Sequence, residues 1–594
     1  MAAREMFKVT VGLTGLTGLV VGLAGCAGGG DDASAGQGRD GGTLRIIGSS
    51  DVEHLDPTSV SSVGAYGLAR TFARTLFGTR ASNDFQETVP VRPDVAQRIP
   101  TRENGDIGKD RRTYTVRLRD GARWNTKPPR PVTAHDFVRG FERLCNPASP
   151  SAGKGYFTST LKGMDEFCRG YADVDAKDPA AMAAYQRDHG FEGVRAKDDR
   201  TIVFELRRPA SDFLNLLTLP YTAAAPKEYD AYVPDGPQLR RHTISDGPYQ
   251  ITEYRPGMSY LLTHNPAWQA AGDPLRERHV AKIRITLGQD SPEAVQQQIE
   301  QGTADLAWDQ PVPTSAISRL RDDPRFAIRE TPNNSPYLVF NTRSPNNGGA
   351  LGRREVRQAL EYAIDRSALI KIVGGPSVAR PLHTVIPPGN SGYSAINHYP
   401  TPGESGDPAK CRELLGTTGR AKLTLKFPYR TNSVHKLIAQ SIAENLDACG
   451  VDTELIADSG GSFYAGTLGT PARAAAGDWD VAAPGWVPDW YGNNGRSIIQ
   501  PLFDGRTYGQ NSTNYGGYDN PQVNGLIDAA LTAPDAEHAA GYWQQADQKI
   551  MEDAAIVPLL DRAQTLFCSS RVRDARYLPT TAGYDYTRLW LSGG

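Results

Sequence analysis

Leu423, Leu425 and Phe427 are separated by Thr424 and Lys426, the two-residue period of a strand with one buried face. Ser433 is placed to cap a following helix that runs through Asn445 and Leu446. Gly450 stands just past its end, where a left-handed residue is wanted. Val451 to Ala457 reads as the next strand. Strand, helix and strand in that order predict a β-α-β unit, and with it a parallel sheet covered by helices.

The rest of the chain mixes the same two periods. Thr43 to Ile47 is the first strand-like stretch, and Thr113 to Arg119 alternates as a strand before the turn Asp120-Gly121. Thr133-Ala134-His135-Asp136 opens a helix towards Leu144, and Thr201 to Leu206 is another strand. Asp246-Gly247-Pro248-Tyr249 is a turn leading into Gln250-Ile251-Thr252. Asp407-Pro408 and Asn520-Pro521 each pair a capping residue with a first-turn proline. Asp535 begins a long helix that ends near Ala555, after which Ile556 to Leu560 returns as a strand. No internal repeat is evident, so the pattern predicts an α/β protein.

The extreme N-terminus departs from this pattern. Arg4 and Lys8 precede an apolar run over about 9–24, closed by Leu23-Ala24-Gly25-Cys26. The run is too short and too rich in glycine to span a membrane comfortably, and it reads as a secretory signal. Leu-Ala-Gly-Cys resembles a bacterial lipobox. The resemblance implies cleavage before Cys26 (signal peptide 1–25) and a diacylglycerol on its thiol. The protein would then be extracytoplasmic, anchored to the outer face of the cell membrane. The Gly-, Asp- and Ser-rich stretch over 26–42 has no apolar periodicity and is expected to be a flexible tether.

With 594 residues, two or more domains are expected. The net charge is −2; losing Arg4, Lys8 and Glu5 with the signal leaves −3. That excludes the basic domain of a nucleic-acid binder. Six cysteines include Cys26. In an oxidising compartment Cys145 with Cys168, flanking a loop-rich stretch, and Cys411 with Cys449, on two predicted helices, are plausible disulfides; Cys568 is left over. No Cys-x-x-Cys, Gly-x-Ser-x-Gly, His-Glu-x-x-His, Walker-type loop or Gly-x-Gly-x-x-Gly occurs. No catalytic residue, metal site or cofactor is expected.

Eight marks in order carry a resemblance. They are Leu55-Asp56-Pro57, Arg92 to Ala96, Leu118 to Trp124, Val132 to Phe137, Asp246 to Tyr249, Gly302 to Asp305, Tyr337 to Thr342, and Val356 to Leu360 with Ala363 to Arg366. Together they resemble the peptide/nickel family (family 5) of extracellular solute-binding proteins of ABC importers. The resemblance implies a two-lobed periplasmic-binding-protein-like fold of type II, with mixed sheets flanked by helices. Lobe I would comprise 43–84, 200–330 and 563–594, with 85–199 as its extra subdomain, and lobe II would be 331–562. Two crossing strands near Tyr337–Asn341 and Ile556–Leu560 would form the hinge.

The resemblance also implies a ligand site. The peptide-binding branch places an Asp a few residues after a Gly-Trp, where it pairs with the ligand's α-ammonium. Here the stretch is Gly485-Trp486-Val487-Pro488-Asp489-Trp490-Tyr491, so Asp489 takes that role. Trp486, Val487, Trp490 and Tyr491 would pack on the ligand, with Tyr337, Asn341 and Tyr66 as further contacts. Some members carry Arg before the Gly-Trp for the ligand's carboxylate end; this chain has Ala483-Pro484. The expected partners are an oligopeptide, an ABC permease with its ATPase subunits, and the membrane through Cys26, and the expected state is a monomer. An oligosaccharide, metal chelate or haem in the same fold, or a peptide-sensing signalling lipoprotein, are the alternatives.

Overall fold

The computed structural model describes residues 39–419, 422–431, 433–458 and 462–593. Cys26, the signal segment and the tether up to 38 lie outside the described residues, as does the Ser433 side chain. Ahead of the expected first strand, Gly41 donates to the His279 carbonyl at 2.8 Å and Ala281 to the Gly42 carbonyl at 3.0 Å. Among the described residues no helix is long and apolar enough to cross a membrane.

Buried apolar residues collect into two large clusters. The first holds Leu44, Ile46, Phe72, Trp124, Phe204, Ile283 and, from the far end of the chain, Val572 and Leu589. The second holds Leu338, Phe340, Leu425, Phe427, Ile442 and Leu560. Two cores in one chain are what a two-lobed α/β protein requires, since each sheet must bury its apolar face under its own helices.

The first core is built on a mixed five-stranded sheet. Thr43–Ile47 lies at parallel register between Lys282–Thr286 and Leu306–Ala307, and Ser259–His264 and Tyr249–Arg255 extend the sheet antiparallel. The alternation Leu44, Ile46 against Ile283, Ile285 puts one face of these strands in the core. A second sheet of Thr113–Arg117, Thr201–Glu205 and Val194–Asp198 draws the 201–205 strand across the expected 199/200 boundary. Its residues Val116, Ile202 and Phe204 belong to the same core as Leu44.

In the second core Leu423–Arg430 and Val451–Asp458 run parallel, joined by the helix Ser433–Ala448. Asp407, Asn520 and Asp535 cap the helices that follow them by accepting from Lys410, Gln522 and His538 N–H groups. The return strand is divided into Ile556–Pro558 and Leu560–Arg562. Tyr337–Phe340 pairs antiparallel with Ile556–Pro558 and with Val481–Ala482, wholly inside the second core. Just before it, Phe326–Arg329 pairs with Gln564–Phe567. The two passages between cores therefore run side by side over 330–336 and 561–563, next to the strands expected to be the hinge.

Cys145 is joined to Cys168, and Cys411 to Cys449. Cys168 sits within the helix Met164–Tyr171, and the stretch between the first pair is turns and loop around the short helix Lys154–Thr158, as rich in loops as expected. Cys568 is a half-buried free thiol.

Candidate ligand-binding site

The stretch from 485 to 495 links the strand Val481–Ala482 to the helix Arg496–Phe503. Asn334 and Trp486 exchange backbone hydrogen bonds of 3.0 and 2.8 Å, which pins the start of this loop to the passage between cores. Gly485 is required by that close approach, because a Cβ there would collide with the Ser335 side chain. The loop then turns Asp489 inward, leaving it 8% exposed.

Three tyrosines from separate parts of the first core surround this carboxylate. Tyr156, on the helix Lys154–Thr158, donates to Asp489 Oδ2 at 2.7 Å. Tyr66, on the helix Val63–Phe72, donates to Oδ1 at 3.3 Å. The Tyr221 hydroxyl is hydrogen-bonded to that of Tyr66. Among the described residues Asp489 has no ion pair. Burial pushes its carboxyl up to about 6, and the Tyr156 and Tyr66 hydroxyls draw it part of the way back. All three phenols are raised, first by their own burial and then by the Asp489 charge.

Asp489 opens onto a cleft of about 760 Å³, its solvent mouth included, bordered also by Tyr66, Trp490, Tyr491, Arg70 and Arg276. Both guanidiniums are already engaged, Arg70 with Asp585 at 2.9 Å and Arg276 with Asp94 at 2.8 Å. Asp489 is thus a buried anion held only by neutral hydroxyls, in a cavity of ligand size. It is suited to receive a cation from outside.

Residues 91–508 match the family described as bacterial extracellular solute-binding proteins, family 5 Middle. The chain belongs to this family of solute-binding proteins. It is 25% identical over 523 residues to the periplasmic oligopeptide-binding protein OppA of Salmonella typhimurium, covering 86% of this chain and 85% of that one. It is 25% identical over 533 residues to di/tripeptide-binding protein 4 of Pseudomonas aeruginosa, covering 87% and 91%. Among solved structures, the clavulanic acid biosynthesis oligopeptide binding protein 2 superposes with a TM-score of 0.76 at 25% identity, over 93% of this chain and 96% of that one.

In this family 5 protein the expected site residues divide. Tyr66, Trp490 and Tyr491 border the cleft with Asp489. Trp490 is also packed into the first core, its ring 5.4 Å from Tyr156 and its indole N–H bonded to the Asn493 carbonyl at 2.8 Å. Tyr491 lies against Phe85, ring centroids 5.2 Å apart. Trp486 is half-buried and donates to the Ser497 carbonyl at 2.8 Å; Val487 is half-buried beside it. Tyr337 is fully buried and borders a separate, smaller cavity with Tyr515 and Phe503.

Asn341 is a correction. It is fully buried and its amide donates to the carbonyls of Ala474 at 2.9 Å and Trp479 at 2.8 Å. Its carboxamide closes backbone hydrogen bonds of the second core and has nothing left for a ligand.

Tyr156, Tyr221 and Arg496 were not singled out by the sequence. Arg496, also buried, reaches from the second half of the chain into the first. It pairs with Asp212 at 3.2 Å and donates to the Tyr156 carbonyl at 2.8 Å and the Thr160 hydroxyl at 2.7 Å. It therefore fixes the helix that carries Tyr156. These residues lie in short, unpatterned stretches, and no spacing signal connects positions 66, 156, 221 and 489.

Proposed function

We propose that this chain is the lipid-anchored, extracytoplasmic substrate-binding subunit of an ABC importer, capturing oligopeptides by their free ammonium and passing them to a membrane permease driven by its ATPase. The observation that carries the reading is Asp489, a buried carboxylate with hydroxyl partners and no cation, facing a cleft. A carboxylate and an ammonium about 4 Å apart attract by about 4 kcal/mol at an effective dielectric near 20. The names of the oligopeptide- and di/tripeptide-binding relatives point the same way. In this reading 43–84, 200–330 and 563–594 form lobe I with 85–199 as its subdomain, whose sheet the 201–205 strand completes from across that boundary, 331–562 forms lobe II, and Cys26 carries the lipid. The protein acts as a monomer. Closure is favoured because a ligand touches both lobes only in the closed state.

The test is calorimetry of the purified protein with a mixed library of free-amino peptides, against the same peptides N-acetylated. Binding of the free-amino set, lost on acetylation and in Asp489→Ala, supports the reading. Absence of peptide binding by the folded protein rejects it in favour of a sugar or chelate ligand. Labelling with a radioactive fatty acid, abolished in Cys26→Ser, tests the anchor.

A further inference from the structure

The cavity at Asp489 runs along one side of the helix Val63–Phe72. Tyr66, Ala69 and Arg70 border it at helical spacing, and Ala73, which ends the helix, continues the same face. Tyr66 and Arg70 are four residues apart, about 6 Å along the axis. The small side chains at 69 and 73 leave that face open. Apart from Asp489, Trp490 and Tyr491, no bordering residue lies between 277 and 577, so the space is on the first-core side.

An ammonium at Asp489 fixes where the first residue of a peptide must sit. Its Cα is one bond from that nitrogen, so the first side chain starts beside the carboxylate. The smaller cavity of the second core, walled by Tyr337 and Phe503, shares no residue with this one. The space along Tyr66, Ala69 and Arg70 is therefore the room open to that side chain.

Two guanidiniums stand at this wall, and each has one nitrogen unused. Arg70 donates through Nε to Asp585 at 2.9 Å and through Nη2 to the Thr79 and Leu275 carbonyls at 3.4 and 3.5 Å. Arg276 donates through Nε to the Arg70 carbonyl at 2.9 Å, and through Nη1 to Asp94 at 2.8 Å and Asp273 at 3.3 Å. Arg70 Nη1 and Arg276 Nη2 make no hydrogen bond among the described residues. The bordering Thr75, Thr88 and Thr218 turn their hydroxyls to the carbonyls of Phe77, Phe85 and Asn215, at 2.5, 2.6 and 2.7 Å. The two positive charges are already balanced by Asp585, Asp94 and Asp273, so what this wall lacks is an acceptor. A buried N–H without one is costly, and a further cation placed against it is repelled.

We infer that this cavity holds the first side chain of the bound peptide, and that Arg70 and Arg276 select one tipped with a hydrogen-bond acceptor, the amide of Gln or the carboxylate of Glu. The inference rests on the peptide reading above, with the ligand's ammonium at Asp489. Both side chains are long enough to span the helical turn between Tyr66 and Arg70. Met matches Gln in length and lacks the acceptor, and Lys brings the wrong charge.

The experiment is calorimetry of the wild-type protein with peptides of Gln, Glu, Met or Lys followed by two, three or four alanines, all with free termini. At the length that binds best, the Gln and Glu peptides are expected to bind about tenfold or more tighter than the Met peptide, and the Lys peptide weaker than Met. Glu ahead of Gln assigns the preference to charge; Gln level with or ahead of Glu assigns it to a neutral acceptor. Arg70→Met combined with Asp585→Asn removes both halves of one ion pair. It should erase the Gln and Glu preference and leave the Met peptide near its wild-type affinity. Ala73→Leu fills the cavity without touching either arginine and should weaken all four peptides relative to all-alanine ones. Equal binding of the four peptides, or tightest binding of Met or Lys, overturns the inference and leaves the peptide reading standing. So does a preference that persists in the paired variant. Should that variant fail to fold, an unchanged ranking in Ala73→Leu overturns the inference instead. Absence of any peptide binding by the folded wild type rejects both readings.

Discussion

Replacing Asp489 by asparagine is expected to move stability and affinity in opposite directions. The side chain keeps its shape, and the Tyr66 and Tyr156 hydroxyls can turn to meet the amide. What is lost is the buried charge. In the unliganded protein the carboxyl is raised to about 6 from an ordinary 3.8, mainly by burial. A raised carboxyl binds its proton more tightly in the folded state. Its cost is therefore absent below about pH 4, grows between pH 4 and 6, and is complete above about 6. Two pH units correspond to about 3 kcal/mol. At pH 7.5 the unliganded asparagine variant should be more stable than wild type by up to that amount, and at pH 4 the two should coincide. Its affinity for a free-amino peptide should meanwhile fall by about 2–5 kcal/mol, or about 30-fold to several thousand-fold. Thermal melts at the two pH values and calorimetry at pH 7.5 read both effects. A variant that melts lower than wild type at pH 7.5, or that holds the free-amino peptide as tightly, would refute the reasoning and make Asp489 a structural residue of its loop.

Three further outcomes follow from the same geometry. Peptide affinity of the wild type should drop about tenfold per unit below pH 6 as Asp489 takes its proton, and drop again above about 8 as the ligand amine loses its own; titrations across pH 4.5–9 measure this, and Asp489→Asn should lack the acid limb. Arg496→Met leaves buried Asp212 without its cation and should cost about 3–5 kcal/mol in urea unfolding, with Arg496→Lys recovering part of it. Replacing both Cys411 and Cys449 by alanine opens a link between residues 38 apart and should cost about 4 kcal/mol by the chain-entropy argument, measured by denaturant midpoint.

Legibility varied with the range of the interaction. The β-α-β unit at 423–458, the caps at Asp407, Asn520 and Asp535, and the first strand could be read directly, because periodicity and capping are local. Asp489 was singled out only through the resemblance of its Gly-Trp frame; its burial against Tyr66 and Tyr156 had no signal in the sequence. Asn341 misled: a polar residue ending a strand reads the same whether its amide faces a ligand or satisfies the Ala474 and Trp479 carbonyls. Tyr156 and Tyr221 could not be found, since their meeting with Asp489 depends on the packing of three distant segments.

Trp490 follows Asp489 in the chain but is packed into the opposite core, 1% exposed and close to Tyr156. An opening of the cleft that carries the 485–495 loop away must pull this indole into water. The protein therefore contains its own optical gauge of closure. Its emission should shift to the red on opening and return on capture, and Trp490→Phe should remove that signal while leaving the glow of the other seven tryptophans.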